Sequence, residues 1–373
     1  MPNTMSWIQT GLLQRIYRAS GIGVTFFVVL TGCSSLPPVT AETSAPTAAP
    51  PQPELIAALS LDLDRRTPVA LAPPDLLQRL RSGFSLATED NRRIDAERDW
   101  FAKHPDYLLR VFTRAQRYLP YISAELDRRG LPLELALLPI VESAYDPFAY
   151  SHGRAAGLWQ MIPGTAKRFG VRQNWWYDGR RDIVDSTRAA LDYLNYLYEF
   201  NDRDWLNAIA SYNSGEGNVK KAVNRNRAAG KADDFFSLSL SKETSAYVPR
   251  LLALVDIVRE PERYNVSLPY IADTPQFAVA DIGSQLDLAL AAELAGIDVD
   301  TVYAFNPGYN RWSTDPEGPH TLVLPYDVND AFLARLEQVP VKDRVHWQRH
   351  KVKNGETISE IAIDYHTTIT AIR

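Results

Sequence analysis

Hydrophobic and polar positions divide this 373-residue chain into zones of different period. Between Pro74 and Gly130 charged and apolar groups alternate at helical spacing, as in Leu76, Leu77 and Leu80 and again in Tyr107, Leu108, Val111 and Phe112. That spacing predicts amphipathic helices, and Arg128-Arg129-Gly130 predicts a helix stop. From Leu131 to Ala144 apolar residues fall nearly all round the helical wheel, which predicts a buried helix rather than a surface one. Pro132 suits its first turn, Pro139 is expected to kink its middle, and Asp146-Pro147 closes it. Further helices are predicted from about Ile183 to Phe200, from Trp205 to Ala210, and from Leu251 to Val258. No strand pattern interrupts the stretch from Pro74 to Glu260, so this body reads as all-α.

After Pro269 the period changes. Phe277 to Asp281 reads as a strand, Leu286 to Leu294 and Val299 to Phe305 as helices, and Thr321 to Leu324 as a second strand. The last residues repeat the opening of that order, with a strand from His350 and a helix from Ile358 through Tyr365. Setting Gly283 against Gly355 aligns Leu286 with Ile358, as in diverged copies. The second copy reaches Arg373 without a second strand, so it is expected to fold poorly alone.

Composition adds little beyond ordinary globularity: 45% hydrophobic, 23% charged, net charge −5. The first 32 residues hold Arg15 and Arg18 and no acid, so the remainder stands at −7, which speaks against a nucleic-acid binder. Those residues read as a secretory signal, with an apolar run from Gly21 to Leu30 too short to span a bilayer. The run ends in Leu30-Thr31-Gly32-Cys33, which resembles the lipobox of bacterial lipoproteins. By that resemblance Cys33 becomes the acylated first residue, and Ser34 after it points to the outer membrane. Cys33 is the single cysteine, so no internal disulfide exists. The segment from 34 to about 54 is rich in Pro, Thr and Ala and reads as an extended tether.

The candidate chemistry lies at the end of the buried helix. A carboxylate at Glu142 meets desolvation and the negative end of the helix dipole, and both favour its protonated form. That is how a fold makes a general acid at neutral pH. Taken alone, Glu142 reads rather as a local cap or ion-pair partner, since most helix-end glutamates are surface groups.

Glu142-Ser143, Ser151, the GLWQ ending at Gln160, Ser211-Tyr212-Asn213 and Tyr247-Val248-Pro249, in this order and spacing, resemble the lytic transglycosylases of the lysozyme-like superfamily. The match covers roughly residues 105 to 264. The resemblance implies a substrate, peptidoglycan, cleaved between N-acetylmuramic acid and N-acetylglucosamine to leave a 1,6-anhydro end. It implies Glu142 as the single acid and base, where hydrolases generally use two carboxylates. It implies Ser151 and Gln160 as partners of sugar substituents, and Tyr212, Asn213 and Tyr247 as lining groups, with Tyr247 holding Glu142. Of Trp159, Trp175, Trp176 and Tyr177, one or two are expected to face sugar. Arg154 stands where the family usually has Gly, so that turn is expected to differ. The βααβ tail resembles LysM modules, which implies binding of N-acetylglucosamine-containing glycan.

The expected architecture is mainly α: a signal over 1–32, a tether over 33–73 and a lysozyme-like all-α domain over 74–265. A degenerate LysM-like α+β module over 268–340 and a partial one over 348–373 follow. No cofactor and no metal are expected, since the six histidines share no ligand spacing with acids or cysteine. Partners are glycan strands and, through Cys33, the membrane at the periplasmic face of the outer membrane; the protein is expected to be a monomer. Two alternatives remain at this point. One is a muramidase in which Asp146, Glu216 or Glu243 supplies a second acid. The other is a non-catalytic wall-binding lipoprotein.

Overall fold

A computed structural model describes residues 73–86, 91–345, 350–365 and 369–372; the signal, Cys33 and the tether lie outside them. Four helices open the described chain: α1 (Leu76–Gly83), α2 (Arg92–Ala102), α3 (Pro105–Ala115) and α4 (Leu119–Arg129). A 3₁₀ turn (Leu133–Leu137), α5 (Leu138–Ser143) and α6 (Pro163–Arg168) follow. The body closes with α7 (Ile183–Phe200), α8 (Trp205–Ser214), α9 (Glu216–Ala228) and α10 (Lys242–Arg259). Side chains of Asp75, Asn91, Asp182, Asp204 and Ser241 accept backbone N–H groups at helix starts, satisfying donors that the helix cannot. Gly130 ends α4 at φ 65, as its position predicts.

The helix α10 is the axis of this body. Every residue from Leu251 to Val258 is buried, so it is apolar nearly all round and lies in the interior. It packs on α2, α5, α8 and the Leu133–Leu137 turn. Each fully buried leucine there contributes about 1.5–3 kcal/mol of burial free energy. Sequence alone starts this helix at Leu251, whereas the structure starts it at Lys242 and runs through Pro249. The Ser241 cap fixes the early start, and a proline removes one donor from a helix that tertiary packing holds in place.

Pro139 produces the second difference. The single kinked helix expected from Leu131 to Ala144 is two pieces, the 3₁₀ turn and then α5 with Pro139 in its first turn. The first turn is where a missing N–H costs nothing, so the chain restarts a helix instead of bending one.

The second body has the expected order. Strand β1 (Phe277–Asp281) pairs antiparallel with β2 (Thr321–Pro325), Phe277 opposite Pro325 and Asp281 opposite Thr321. Between them run α11 (Leu288–Ala295) and α12 (Val299–Phe305), over a core that includes Ala280, Leu286, Leu288, Leu322 and Leu324. Asp287 caps α11 by accepting from Ala289 and Leu290, which is why it begins two residues later than expected. A further helix, α13 (Asn329–Leu336), packs on β1 and buries Phe332. At the C-terminal side, α14 (Ile358–Asp364) starts on a Thr357–Glu360 capping box. The strand expected from His350 is not formed over 350–353, and an extended segment with no partner strand has no ladder to hold it.

Both bodies belong to one compact unit, joined through the loop before α7. Arg172 Nη2 and Asn174 Nδ2 donate to Asp315 Oδ2 at 2.9 and 2.6 Å. Two backbone bonds, Asn310 N to Trp176 O at 2.7 Å and Asp178 N to Gly308 O at 2.8 Å, strengthen the joint, as do bonds from Arg172 to Gly318 O and from Arg181 to Asn310 Oδ1.

Candidate active site

Glu142 occupies the last turn of α5, where Ala144 follows in the left-handed region at φ 52 and Tyr145 at φ 58. Non-glycine residues there are uncommon and mildly strained, and they reverse the chain directly after the carboxylate. Two hydroxyls fix this reversal. Tyr145, fully buried, donates to Ala136 O at 2.6 Å, and Ser143 donates to Leu158 O at 2.9 Å. The second bond ties the end of α5 to the GLWQ turn.

The carboxyl of Glu142 is pushed up to about 7, first by burial and further by the charge of Glu243; a hydrogen bond from Tyr247 opposes the rise. The residue as a whole is half-buried, so part of it remains open to solvent. Tyr247 on α10 donates its hydroxyl to Glu142 Oε1. Its own phenol is raised far above the ordinary range by burial and by the Glu142 charge, so it stays a donor.

Tyr212 on α8 lies within the electrostatic reach of Glu142, and burial likewise raises it. Its hydroxyl donates to Trp159 O at 2.8 Å, fixing the GLWQ turn from the opposite side. Asn213 Oδ1 accepts from Thr244 Oγ1 at 2.9 Å, and its Nδ2 reaches Glu243 Oε1 at 3.5 Å. Thus Glu142, Tyr212, Asn213 and Tyr247 are brought together where α5, α8 and α10 meet. Thr244 joins them unannounced by the sequence; the available signal was its place three residues before Tyr247 on one helix face.

Ser151 and Gln160 stand in the intervening loop, with bonds that stay within it. Ser151 Oγ accepts from Ala155 N at 3.0 Å, and Gln160 Nε2 donates to Ala149 O at 3.1 Å and to Gly157 O at 2.9 Å. Gln160 has φ 45 and Arg154 φ 62, so Arg154 adopts a backbone conformation that glycine would take readily. Gly157 is required by space as well as by its φ of +80: an added Cβ would lie 1.9 Å from Arg180 O.

The aromatics separate cleanly. Trp159 is fully buried, its Nε1 donating to Thr187 Oγ1 at 3.0 Å, and Tyr177 is fully buried and donates to Asp185 at 2.9 Å. Trp175 is 56% exposed and Trp176 half-buried, both beside Trp312 of the second body. Of the other acids considered, Glu216 accepts from Arg168 at 3.0 Å, and Asp146 Oδ1 accepts from Phe148 N at 2.9 Å.

Comparison with known proteins places this geometry in a class. The model of the transglycosylase SLT domain matches residues 120–235, and that of the LysM-like domain of lytic transglycosylase MltD matches 276–341. The membrane-bound lytic murein transglycosylase D of Escherichia coli (strain K12) is 37% identical over 308 residues, covering 79% of this chain and 67% of its own length. A chain from Alteromonas sp. (strain M-1), provisionally described as a tributyltin chloride resistance protein, is 39% identical over 186 residues, 48% of this chain and 87% of that one. The membrane-bound lytic murein transglycosylase F of Desulfosudis oleivorans is 29% identical over 179 residues, 40% of this chain and 38% of its own. The chain belongs to the family of the membrane-bound lytic murein transglycosylases D.

Proposed function

We propose that this protein is a lytic transglycosylase of peptidoglycan with Glu142 as its sole acid and base. The observation that carries the proposal is a desolvated carboxyl, raised to about 7, held by the hydroxyl of Tyr247. A carboxyl so poised is protonated in about half of the molecules at neutral pH, and that form can give its proton to the glycosidic oxygen as the bond from C1 of N-acetylmuramic acid breaks. The N-acetyl group of the same sugar stabilises the cationic centre. Glu142, now ionised, takes the proton of the 6-hydroxyl as that oxygen bonds to C1. The products are an N-acetylglucosamine end and a 1,6-anhydro end, and the carboxyl returns to its starting form. Tyr247 orients the carboxyl, Asn213 and Thr244 support the groove wall beside Glu243, and Tyr212, Ser151 and Gln160 hold the turn along which the sugars lie.

Within this reading the domain from 74 to 265 cleaves, the module from 268 to 340 contacts glycan, and 348–373 begins a second such module. Residues 1–32 export the chain, and lipid on Cys33 anchors it as a monomer through the 33–73 tether to the periplasmic face of the outer membrane.

The decisive experiment is mass spectrometry of products from purified peptidoglycan with the wild type and Glu142→Gln. Products lighter by one water than reducing muropeptides, absent with Glu142→Gln, are the expected result. Reducing products would make the protein a muramidase, with Glu243, whose charge already reaches Glu142, the first candidate for its second acid. No products from either protein would leave a wall-binding lipoprotein.

A further inference from the structure

Three arginines on the α3 face and its C-terminal extension, Arg110, Arg114 and Arg117, follow one another at helical spacing. None of them makes an ion pair within the described residues, although many other arginines of this net-acidic chain do. Arg114 has only a long 3.5 Å contact to Ala144 O, two residues after Glu142, and Arg117 stacks 4.4 Å from the centre of the Phe305 ring. Arg114 and Arg117 line a groove of about 470 Å³ with Gln116, Asp146, Phe148 and Phe305. The groove begins at the chain reversal behind Glu142, and Phe148 at its wall is 52% exposed. Asp146 is the one acid lining it, and its Oδ1 already accepts from Phe148 N, so the cations outnumber the anion.

We infer that this groove binds the carboxylate-bearing stem peptide that hangs from N-acetylmuramic acid, and so sets a preference for strands that still carry peptide. The inference rests on the transglycosylase reading above. The chemistry fits an extended acidic peptide better than a sugar. Guanidinium groups form charge-assisted, often bidentate, hydrogen bonds to carboxylates, and the exposed Phe148 ring offers contact to the aliphatic part of a peptide. Tyr145 and Asp146 of the groove lining lie three and four residues after Glu142, in the reversal that follows it.

The test compares strands carrying intact peptides with the same strands stripped by an amidase, using wild type and the Arg114→Ala/Arg117→Ala double variant. The expected result is a loss on the order of tenfold in kcat/KM for the double variant on peptide-bearing strands, with stripped strands cleaved at the wild-type rate. Equal loss on both kinds of strand by a folded double variant, or loss on neither, overturns the inference. Should the double variant fail to fold, the wild type decides: the free tripeptide L-alanyl-γ-D-glutamyl-meso-diaminopimelate should inhibit cleavage of peptide-bearing strands, and no inhibition overturns the inference. If the wild type cleaves neither substrate, the transglycosylase reading fails instead, and calorimetric titration of the tripeptide still reads the groove. Binding to phosphatidylglycerol vesicles without binding to the tripeptide would assign the cations to a lipid surface and overturn the inference.

Discussion

Glu142 sits between two opposing influences, and each can be removed singly. The Glu243 charge raises its carboxyl and the Tyr247 hydroxyl lowers it. If the protonated form starts the reaction, the rate falls as pH rises through about 7 in the wild type. Glu243→Gln should move this alkaline limb to lower pH and Tyr247→Phe to higher pH, with Tyr247→Phe also lowering kcat through loss of orientation. Equal limbs in all three pH–rate profiles would refute the arrangement. Stability carries the same sign. The folded carboxyl stands at about 7 against an ordinary 4.5, so the folded state holds its proton where the unfolded state has lost it. The group therefore costs nothing below pH 4.5, destabilises increasingly from there to about 7, and levels off above. Glu142→Gln should leave Tm unchanged at pH 4 and raise it at pH 8, by a free energy of up to about 3 kcal/mol. At this scale the sequence was informative about Glu142, because a carboxylate ending an apolar run has few places to go. For Thr244 it offered only the spacing to Tyr247; the bond to Asn213 depends on two helices crossing, which local spacing does not show.

Elements were legible wherever period and caps agreed, and misread where proline intervened. Pro139 reads the same whether a helix kinks or restarts, and Pro249 whether one begins or passes through; packing against the core decides both. The loop between α5 and α6 shows a sharper contrast between two positions. Gly157 has no room for a Cβ against Arg180 O, so Gly157→Ala should destabilise by at least about 2–3 kcal/mol and abolish activity, as followed by thermal melting and wall-digestion assays. Arg154 already holds φ 62 without glycine, so Arg154→Gly should keep the turn and shift Tm by less than about 1 kcal/mol equivalent. Arg154 thus takes a left-handed backbone form that glycine adopts at no steric cost.

In the molecule as a whole, the order of an all-α body followed by a βααβ unit was readable from the change in period after Pro269. The joint between them was not, because its partners lie some 140 residues apart in sequence. Asp315 is buried at that joint, its side chain 1% exposed, and depends on Arg172 and Asn174. Arg172→Ala should leave this carboxylate short of a donor, cost about 2 kcal/mol, and expose the 266–276 connection to limited proteolysis. Unchanged proteolysis would show that the remaining bonds, from Asn174, Arg181 and the two backbone amides, suffice.

That joint also determines what kind of multivalency the protein can have. A glycan-binding module on a slack linker raises local substrate concentration over a sphere of many orientations. Here the bonds at Asp315, the two backbone bonds and further bonds from Arg172 and Arg181 replace slack with a fixed offset; under the function proposed above, a strand bound by the second body would reach Glu142 at a set distance. Such a pair of sites acts as a ruler. Under that reading, avidity is gained only by strands whose length and path match the offset.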